Sequence, residues 1–395
     1  MPLRTPKSII LILSAFVLFS ASALATTTSQ HRRHRRRHVV RTAGAAEAHS
    51  PYRHASVLRH HRIFQETWTS PTFADSTAGD LIDGEDLNVR RAAVQALGPY
   101  NGTVVVADPS SGRILTIVNQ KLAFQSGFQP CSTIKLVAAL AGLSEGIINK
   151  EDNGRLGRRW SLSLTEAIAH SNNYYFATVG ERLGFERIEK YAKELGLGEK
   201  AGLDIPTEEA GTLPPTPPDE GLGMMTSFGS GIYLTPLQLT ALVSAIANGG
   251  TLYWLQYPRS TDEVAHFEPK VKRALEDVSK FIPEIRPGME GAVEHGTARR
   301  AAYDPSVTIM GKTGTCTDTR SPTHLGWFGS FNQVGDRKLV VTVLLTGGRP
   351  ISGPVASGIA GRVYKNLADE NYFGPNTPAA AVALLSTQSC CQAGR

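Results

Sequence analysis

Three short stretches of this chain carry residues that could do chemistry together. In Gln129-Pro130-Cys131-Ser132-Thr133-Ile134-Lys135 a serine and a lysine stand three positions apart. Residues at that spacing are neighbours on a helix, so the Lys135 amine can reach the Ser132 hydroxyl. A serine hydroxyl is a weak nucleophile until a base takes its proton, and a lysine serves as that base when burial or a second cation lowers its pKa. Standing alone, Ser132 reads equally well as the capping residue of an ordinary helix. Two later stretches change the balance: Ser171-Asn172-Asn173, and Lys312-Thr313-Gly314-Thr315, which adds a second lysine and a glycine without a side chain.

The elements that must position these residues are legible from apolar periodicity and turn signals. Pro130 discourages helix in the residue before it, and the apolar run from Lys135 to Leu143 predicts a helix starting at about Ser132. Leu81 to Leu97 suits an amphipathic helix with Leu87, Val89, Ala92, Ala93 and Leu97 as its buried stripe. Gly102 to Ala107 and Arg113 to Val118 are β-branched runs around the turn cluster Asp108-Pro109-Ser110-Ser111-Gly112, and so predict an antiparallel hairpin. Far downstream, Val307 to Thr315, His324 to Asn332 and Lys338 to Thr346 read as three more strands, the last two joined by a turn at Gly335-Asp336, and Pro354 to Leu367 as a closing helix. Together they predict an α/β fold of the α+β type: a five-stranded, mainly antiparallel sheet with the terminal helices packed on it, plus a helical subdomain. That subdomain, about Gly142 to Pro305, contains predicted helices over Leu164 to Leu183 and Arg187 to Leu195. A third opens at Thr235-Pro236 and stops at Gly249-Gly250.

The order S-x-x-K, S-x-N, K-T-G resembles that of serine penicillin-recognising enzymes. From about Leu87 to Leu367 the chain looks like the transpeptidase domain of a penicillin-binding protein, nearer to class B members than to a β-lactamase. The resemblance implies that Ser132 is the nucleophile and Lys135 its base, that Ser171 relays a proton to the leaving group, and that Asn173 holds the substrate amide. Lys312 would depress the Lys135 pKa and attract a carboxylate, which the Thr313 and Thr315 hydroxyls would also meet. Gly314 would let an extended peptide approach as an added β-partner, which suits the D-alanyl-D-alanine end of a peptidoglycan stem peptide. The N–H groups of Ser132 and Thr315 would form the oxyanion hole. With those two segments side by side, Cys131 and Cys316 would be within bridging distance, as at the same motif-relative positions of carbapenem-hydrolysing class A β-lactamases. Phe228-Gly229-Ser230-Gly231 and Glu294-His295-Gly296-Thr297 also match segments common in penicillin-binding proteins, and as glycine turns are expected to be structural.

The implied activity is an acyl-serine D,D-transpeptidase or D,D-carboxypeptidase, with β-lactams as covalent inhibitors. The competing readings are a serine β-lactamase and a non-catalytic β-lactam receptor. Against the β-lactamase, the one E-x-x-x-N pattern, Glu145 to Asn149, precedes Ser171, which is the wrong chain order for a class A water-activating glutamate. Two departures from the family stand out: the interval between Ser132 and Ser171 is short, and the region before Leu81 is too small for a class B N-terminal module.

At 395 residues, 41% apolar and 19% charged, the composition is that of a globular chain. Much of the +6 net charge sits in the run from Gln30 to His38, which argues against a nucleic-acid-binding face. Arg4 and Lys7 precede an apolar segment, Ser8 to Ala25, that reads as a signal peptide or signal anchor, so the catalytic domain is expected in the periplasm or on the outer face of the membrane. The predicted domains are that segment (1–25), a basic linker (26–80), the transpeptidase domain (81–372) and a C-terminal tail (373–395) holding Cys390 and Cys391. The basic run offers a tether for anionic envelope polymer or lipid, or a solvated linker with no partner. The eleven histidines show no H-E-x-x-H spacing, and no metal or cofactor is called for.

Overall fold

The computed structural model describes residues 68–125, 127–149, 154–155, 161–333 and 337–374. The apolar N-terminal segment, the basic run, Gly335-Asp336, Cys390 and Cys391 lie outside them. Among the described residues, no helix is long and apolar enough to cross a membrane.

Five strands form the central sheet: β1 Gly102–Ala107, β2 Ile114–Val118, β3 Thr308–Thr317, β4 His324–Gln333 and β5 Val340–Gly347. Their order is β2-β1-β5-β4-β3, and every neighbouring pair is antiparallel. The sequence explains why β1 and β5 are apolar throughout rather than alternating: both faces of the sheet are covered. Val104 and Val106 pack on one face with α1 (Leu87–Leu97) and the closing helix, through Val89, Ala93, Ile359 and Val363. Val105 and Leu344 point to the other face, among Leu239, Leu242 and Val243 of a helix over Pro236–Asn248. That helix approaches so closely that a Cβ at Gly329 of β4 would lie 2.9 Å from a Val243 methyl. Its ends follow the expected signals. Thr235 and Gln238 form a reciprocal capping box before Pro236, and Gly249 closes the helix at φ 92°.

Four expectations are corrected. Leu87 is 59% exposed, because it sits in the first turn of α1, N-terminal to the stripe of Val89, Ala92, Ala93 and Leu97, all buried. The predicted helix from Leu164 to Leu183 is two helices, Leu164–Ala169 and Asn173–Leu183, parted by a turn at residues 170–172. The helix expected from Leu81 to Leu97 begins only at Leu87, behind an Asp86 cap that accepts from the Asn88 and Val89 N–H groups.

The fourth correction concerns the linker, because the packed domain begins well before residue 81. The Thr72 carbonyl accepts from the Asn101 N–H at 3.0 Å, and its hydroxyl accepts from the Gly348 N–H at 2.9 Å. Asp80 caps the turn after β2 through the Asn119 and Gln120 N–H groups, both at 2.9 Å, and pairs with Arg90 at 2.7 Å. Arg90 also binds the fully buried Glu85 carboxylate at 3.2 Å and the Ile117 carbonyl at 2.9 Å. Removing one partner of a buried ion network leaves uncompensated charge, whereas intact networks of this kind add little net stability. Arg90→Ala is therefore expected to destabilise the domain by about 3–5 kcal/mol in urea unfolding; a change under about 1 kcal/mol would show that the two carboxylates are solvated without it.

Candidate active site

The helices around the site are α2 (Lys135–Ser144), α3 (Leu164–Ala169), α4 (Asn173–Leu183), α5 (Phe185–Glu194), α6 (Leu222–Phe228), α7 (Pro236–Asn248), α8 (Ile282–Glu294) and α9 (Gly353–Asp369). Ser132 lies in a 3-10 turn, Cys131–Ile134, and α-helix proper begins at Lys135, three residues later than the sequence predicts. Cys131 holds a left-handed backbone at φ 51°, and the Thr133 hydroxyl donates to the Pro130 carbonyl at 2.7 Å, so this turn is tied back on itself before the helix starts. The spacing of three still sets the two side chains together, since a 3-10 turn also stacks residues three apart.

Lys135 is fully buried, and its Nζ has four polar neighbours. Ser132 Oγ is at 2.9 Å, the Ser171 carbonyl at 2.8 Å, Ser171 Oγ at 3.0 Å and Asn173 Oδ1 at 2.6 Å. Ser171 can offer both its carbonyl and its hydroxyl because it occupies the turn between α3 and α4 in a left-handed conformation, φ 54°. Asn172, the middle residue of the motif, caps α4 by accepting from the Tyr175 N–H at 2.8 Å. A three-residue turn barely disturbs helical periodicity, which is why the sequence alone reads as one helix here.

No carboxylate is among the groups bonded to Nζ in the described residues, and the Phe176 and Phe228 rings lie 5.8 Å away. Burial therefore lowers the Lys135 pKa to about 7. A neutral amine has two N–H donors and one lone pair. The Ser171 carbonyl can only accept, and Asn173 Oδ1 likewise, so these two take both donors. The lone pair is left for a hydroxyl, with Ser132 and Ser171 both in range. The alternative acceptor for the Ser132 hydroxyl, the Ser227 carbonyl, is more distant at 3.4 Å.

Lys312 is fully buried on β3, and its Nζ donates to the Thr313 carbonyl at 3.1 Å. Its pKa is pushed well below the ordinary lysine value by burial first and by repulsion from Lys135 second. For Lys135 itself the cause of the shift is burial.

Strand β3 lies directly against the serine turn. A Cβ at Gly314 would stand 2.9 Å from the Pro130 carbonyl and 3.2 Å from Cys131 Cβ, so glycine is what permits the approach. Two residues on, the sulfurs of Cys131 and Cys316 are 2.00 Å apart with their Cα atoms at 5.5 Å. Thr313 Oγ1 meets Thr297 Oγ1 at 2.6 Å, and Thr315 Oγ1 accepts from the Gly353 N–H at 2.8 Å, which leaves the Thr315 O–H donor unspent. The two glycine turns singled out in the sequence prove to frame the site. Gly229 packs on Pro130, and Gly296 is in contact with the Ala169 carbonyl. Ser132, Lys135, Ser171 and Asn173 are thus joined by hydrogen bonds; Thr297, the last residue of the second glycine segment, joins the surroundings through Thr313, and Ser227, which no sequence signal marked, through its carbonyl.

Comparison with known proteins gives the same answer. Residues 102–369 match the model of the penicillin binding protein transpeptidase domain, and the chain belongs to that family. Stage V sporulation protein D of Bacillus subtilis is 31% identical over 322 residues, 70% of this chain and 48% of that protein. Peptidoglycan D,D-transpeptidase MrdA of Acinetobacter baumannii is 26% identical, over 66% of this chain and 47% of its own. The chain therefore spans about half the length of the curated relatives it matches. Among solved structures, PBPA from Mycobacterium tuberculosis superposes with a TM-score of 0.60 at 23% identity, covering 72% of this chain and 79% of that one, which establishes the fold.

With selectively 13C-labelled lysine, the Lys135 Cε resonance of the folded domain is expected to titrate near pH 7. A midpoint near 10, the ordinary lysine range, would contradict the account of its burial.

Proposed function

We propose that the chain is a penicillin-binding serine D,D-transpeptidase that cross-links peptidoglycan through an acyl-serine intermediate. The observation that carries this reading is the Lys135 amine, depressed to about 7 by burial, with acceptors for both its donors and a hydroxyl left for its lone pair. Ser132 Oγ attacks the carbonyl between the two D-alanines of a stem peptide as Lys135 takes its proton. The tetrahedral oxyanion is held by the Ser132 and Thr315 N–H groups; support for this pair comes from the contact of Gly314 with the serine turn. Ser171, in reach of Lys135, passes the proton to the departing D-alanine amine, and Asn173 orients the substrate amide. An acceptor amine from a neighbouring strand then takes the acyl group, or water does in a carboxypeptidase. Lys312 and the unspent Thr315 donor face the terminal carboxylate.

The family's relatives carry transpeptidase names, which favours this reading over a β-lactamase or a silent receptor. The domain is exported, with the apolar segment from Ser8 to Ala25 as signal peptide or anchor and the arginine- and histidine-rich run as a tether to anionic envelope polymer or lipid; both rest on sequence composition. Cys131 and Cys316 form a disulfide in the exported protein, consistent with the contact between the elements that carry them.

Ser132→Ala is expected to abolish covalent labelling by a fluorescent penicillin without altering the unfolding midpoint, and Lys135→Ala to slow labelling by at least about 100-fold. Undiminished labelling of Ser132→Ala would place the nucleophile elsewhere. The acyl-enzyme formed with penicillin should persist for many minutes while a D-alanyl-D-alanine peptide is turned over; rapid repeated hydrolysis of penicillin would instead make the chain a β-lactamase. In protein from an oxidising compartment, alkylation without reductant should leave Cys131 and Cys316 unmodified. Full alkylation of both would rule out the bridge.

A further inference from the structure

Beside the site, and unused by its chemistry, three potential metal ligands converge. Glu166 lies on α3, His170 ends that helix four residues later, and His295 follows the last residue of α8. His170 Nε2 is 3.2 Å from Glu166 Oε2, and His295 Nε2 is 3.5 Å from Glu166 Oε1. One donor atom can be taken from each residue so that all three lie within 4.8 Å of one another. Ligand atoms at about 2.1 Å around a tetrahedral zinc ion stand about 3.4 Å apart; each imidazole already faces its own oxygen of the Glu166 carboxylate at close to that spacing, so the carboxylate sits between the two rings.

The arrangement is partly built in advance. The His295 ring lies over Gly291, where a Cβ would come within 2.9 Å of ring Cε1, so the helix leaves a notch for the imidazole. With Nε2 turned to Glu166, Nδ1 faces the Glu294 carboxylate at 4.0 Å, the side from which acidic groups orient metal-bound histidines. All three side chains are between 42% and 52% exposed, so an ion can enter from solvent. Two imidazoles and one carboxylate suit a borderline ion such as zinc, whereas magnesium and calcium prefer oxygen ligands alone.

We propose that Glu166, His170 and His295 form a binding site for a divalent transition metal of the zinc class, with a fourth position left to water. The ion bridges the end of α3 to the end of α8. His170 immediately precedes Ser171, whose carbonyl and hydroxyl hold Lys135, and His295 is two residues before Thr297, which holds Thr313 on β3. The Thr297 N–H already donates to the Ala169 carbonyl at 3.1 Å, so the metal reinforces an existing contact between the two segments that frame the site. Sequence spacing gives little warning of this site, because His295 is far from the other two in the chain.

The test is thermal unfolding of the purified full chain with zinc chloride, with magnesium chloride as the comparison. A ligand that binds the folded state raises the midpoint, here by roughly 5 °C at saturating zinc. Magnesium should leave it unchanged, and the rise should vanish in His170→Asn/His295→Asn. Histidines of the N-terminal run, such as His31, His34 and His38, can also take up zinc, and the difference between wild type and this double variant separates them from the proposed site. Should the double variant fail to fold, Glu166→Gln alone decides: it should need at least roughly tenfold more zinc for the same shift. No rise in the wild type would reduce the cluster to surface ion pairs. An equal rise at equal zinc in the variants would place the metal elsewhere. Either result overturns the proposal.

Discussion

The organisation of this protein depends on one constraint, the removal of a lysine amine from water with no carboxylate among the described residues bonded to it. An ammonium in that position is strongly disfavoured, and the amine gives up its proton near neutral pH instead. An ion pair with an acidic residue would have kept Lys135 charged and useless as a base. The surroundings are accordingly neutral: a backbone carbonyl, an amide oxygen, two hydroxyls and two aromatic rings. The rest of the structure brings these groups together from distant parts of the chain.

Each supplying element arrives through a feature that an ordinary helix or strand lacks. The serine is presented on a 3-10 turn behind a left-handed Cys131, and Ser171 on a left-handed turn between two helices. Non-glycine residues seldom occupy this region, and where they do the surrounding structure must over-determine them. Here α2 and α4 are anchored in the core by Leu136, Leu140, Phe176 and Val179, and the sheet, buried on both faces, fixes β3 against the serine turn. The capped helix α7 supports that sheet from behind, where Gly329 lets it settle close.

Much of this was legible in the sequence. The five strands stand within about two residues of their predicted limits, because β-branched runs between turn clusters admit little else. The three motifs were legible because a serine three positions before a lysine, a second serine and a lysine-bearing glycine strand are residue types whose chemistry fits together. What escaped was set by tertiary context. Three residues of turn at 170–172 do not interrupt apolar periodicity, so one helix was expected where there are two. Helix α8 keeps Pro287 in its interior while packing against α3 through Gly288. Asp80 looked like linker because its partners, Arg90 and the N–H groups of Asn119 and Gln120, are supplied only by the fold.

The claim on which the account stands is that Ser132 is activated by a neutral Lys135. The direct measurement is the pH dependence of the acylation rate by a labelled penicillin. A base must be deprotonated to act, so the rate should climb about tenfold per pH unit below 7 and level off above it. In Lys135→Ala the residual rate should lose that limb. A wild-type rate that is flat across pH 5 to 8, or an identical limb surviving in Lys135→Ala, would contradict the account.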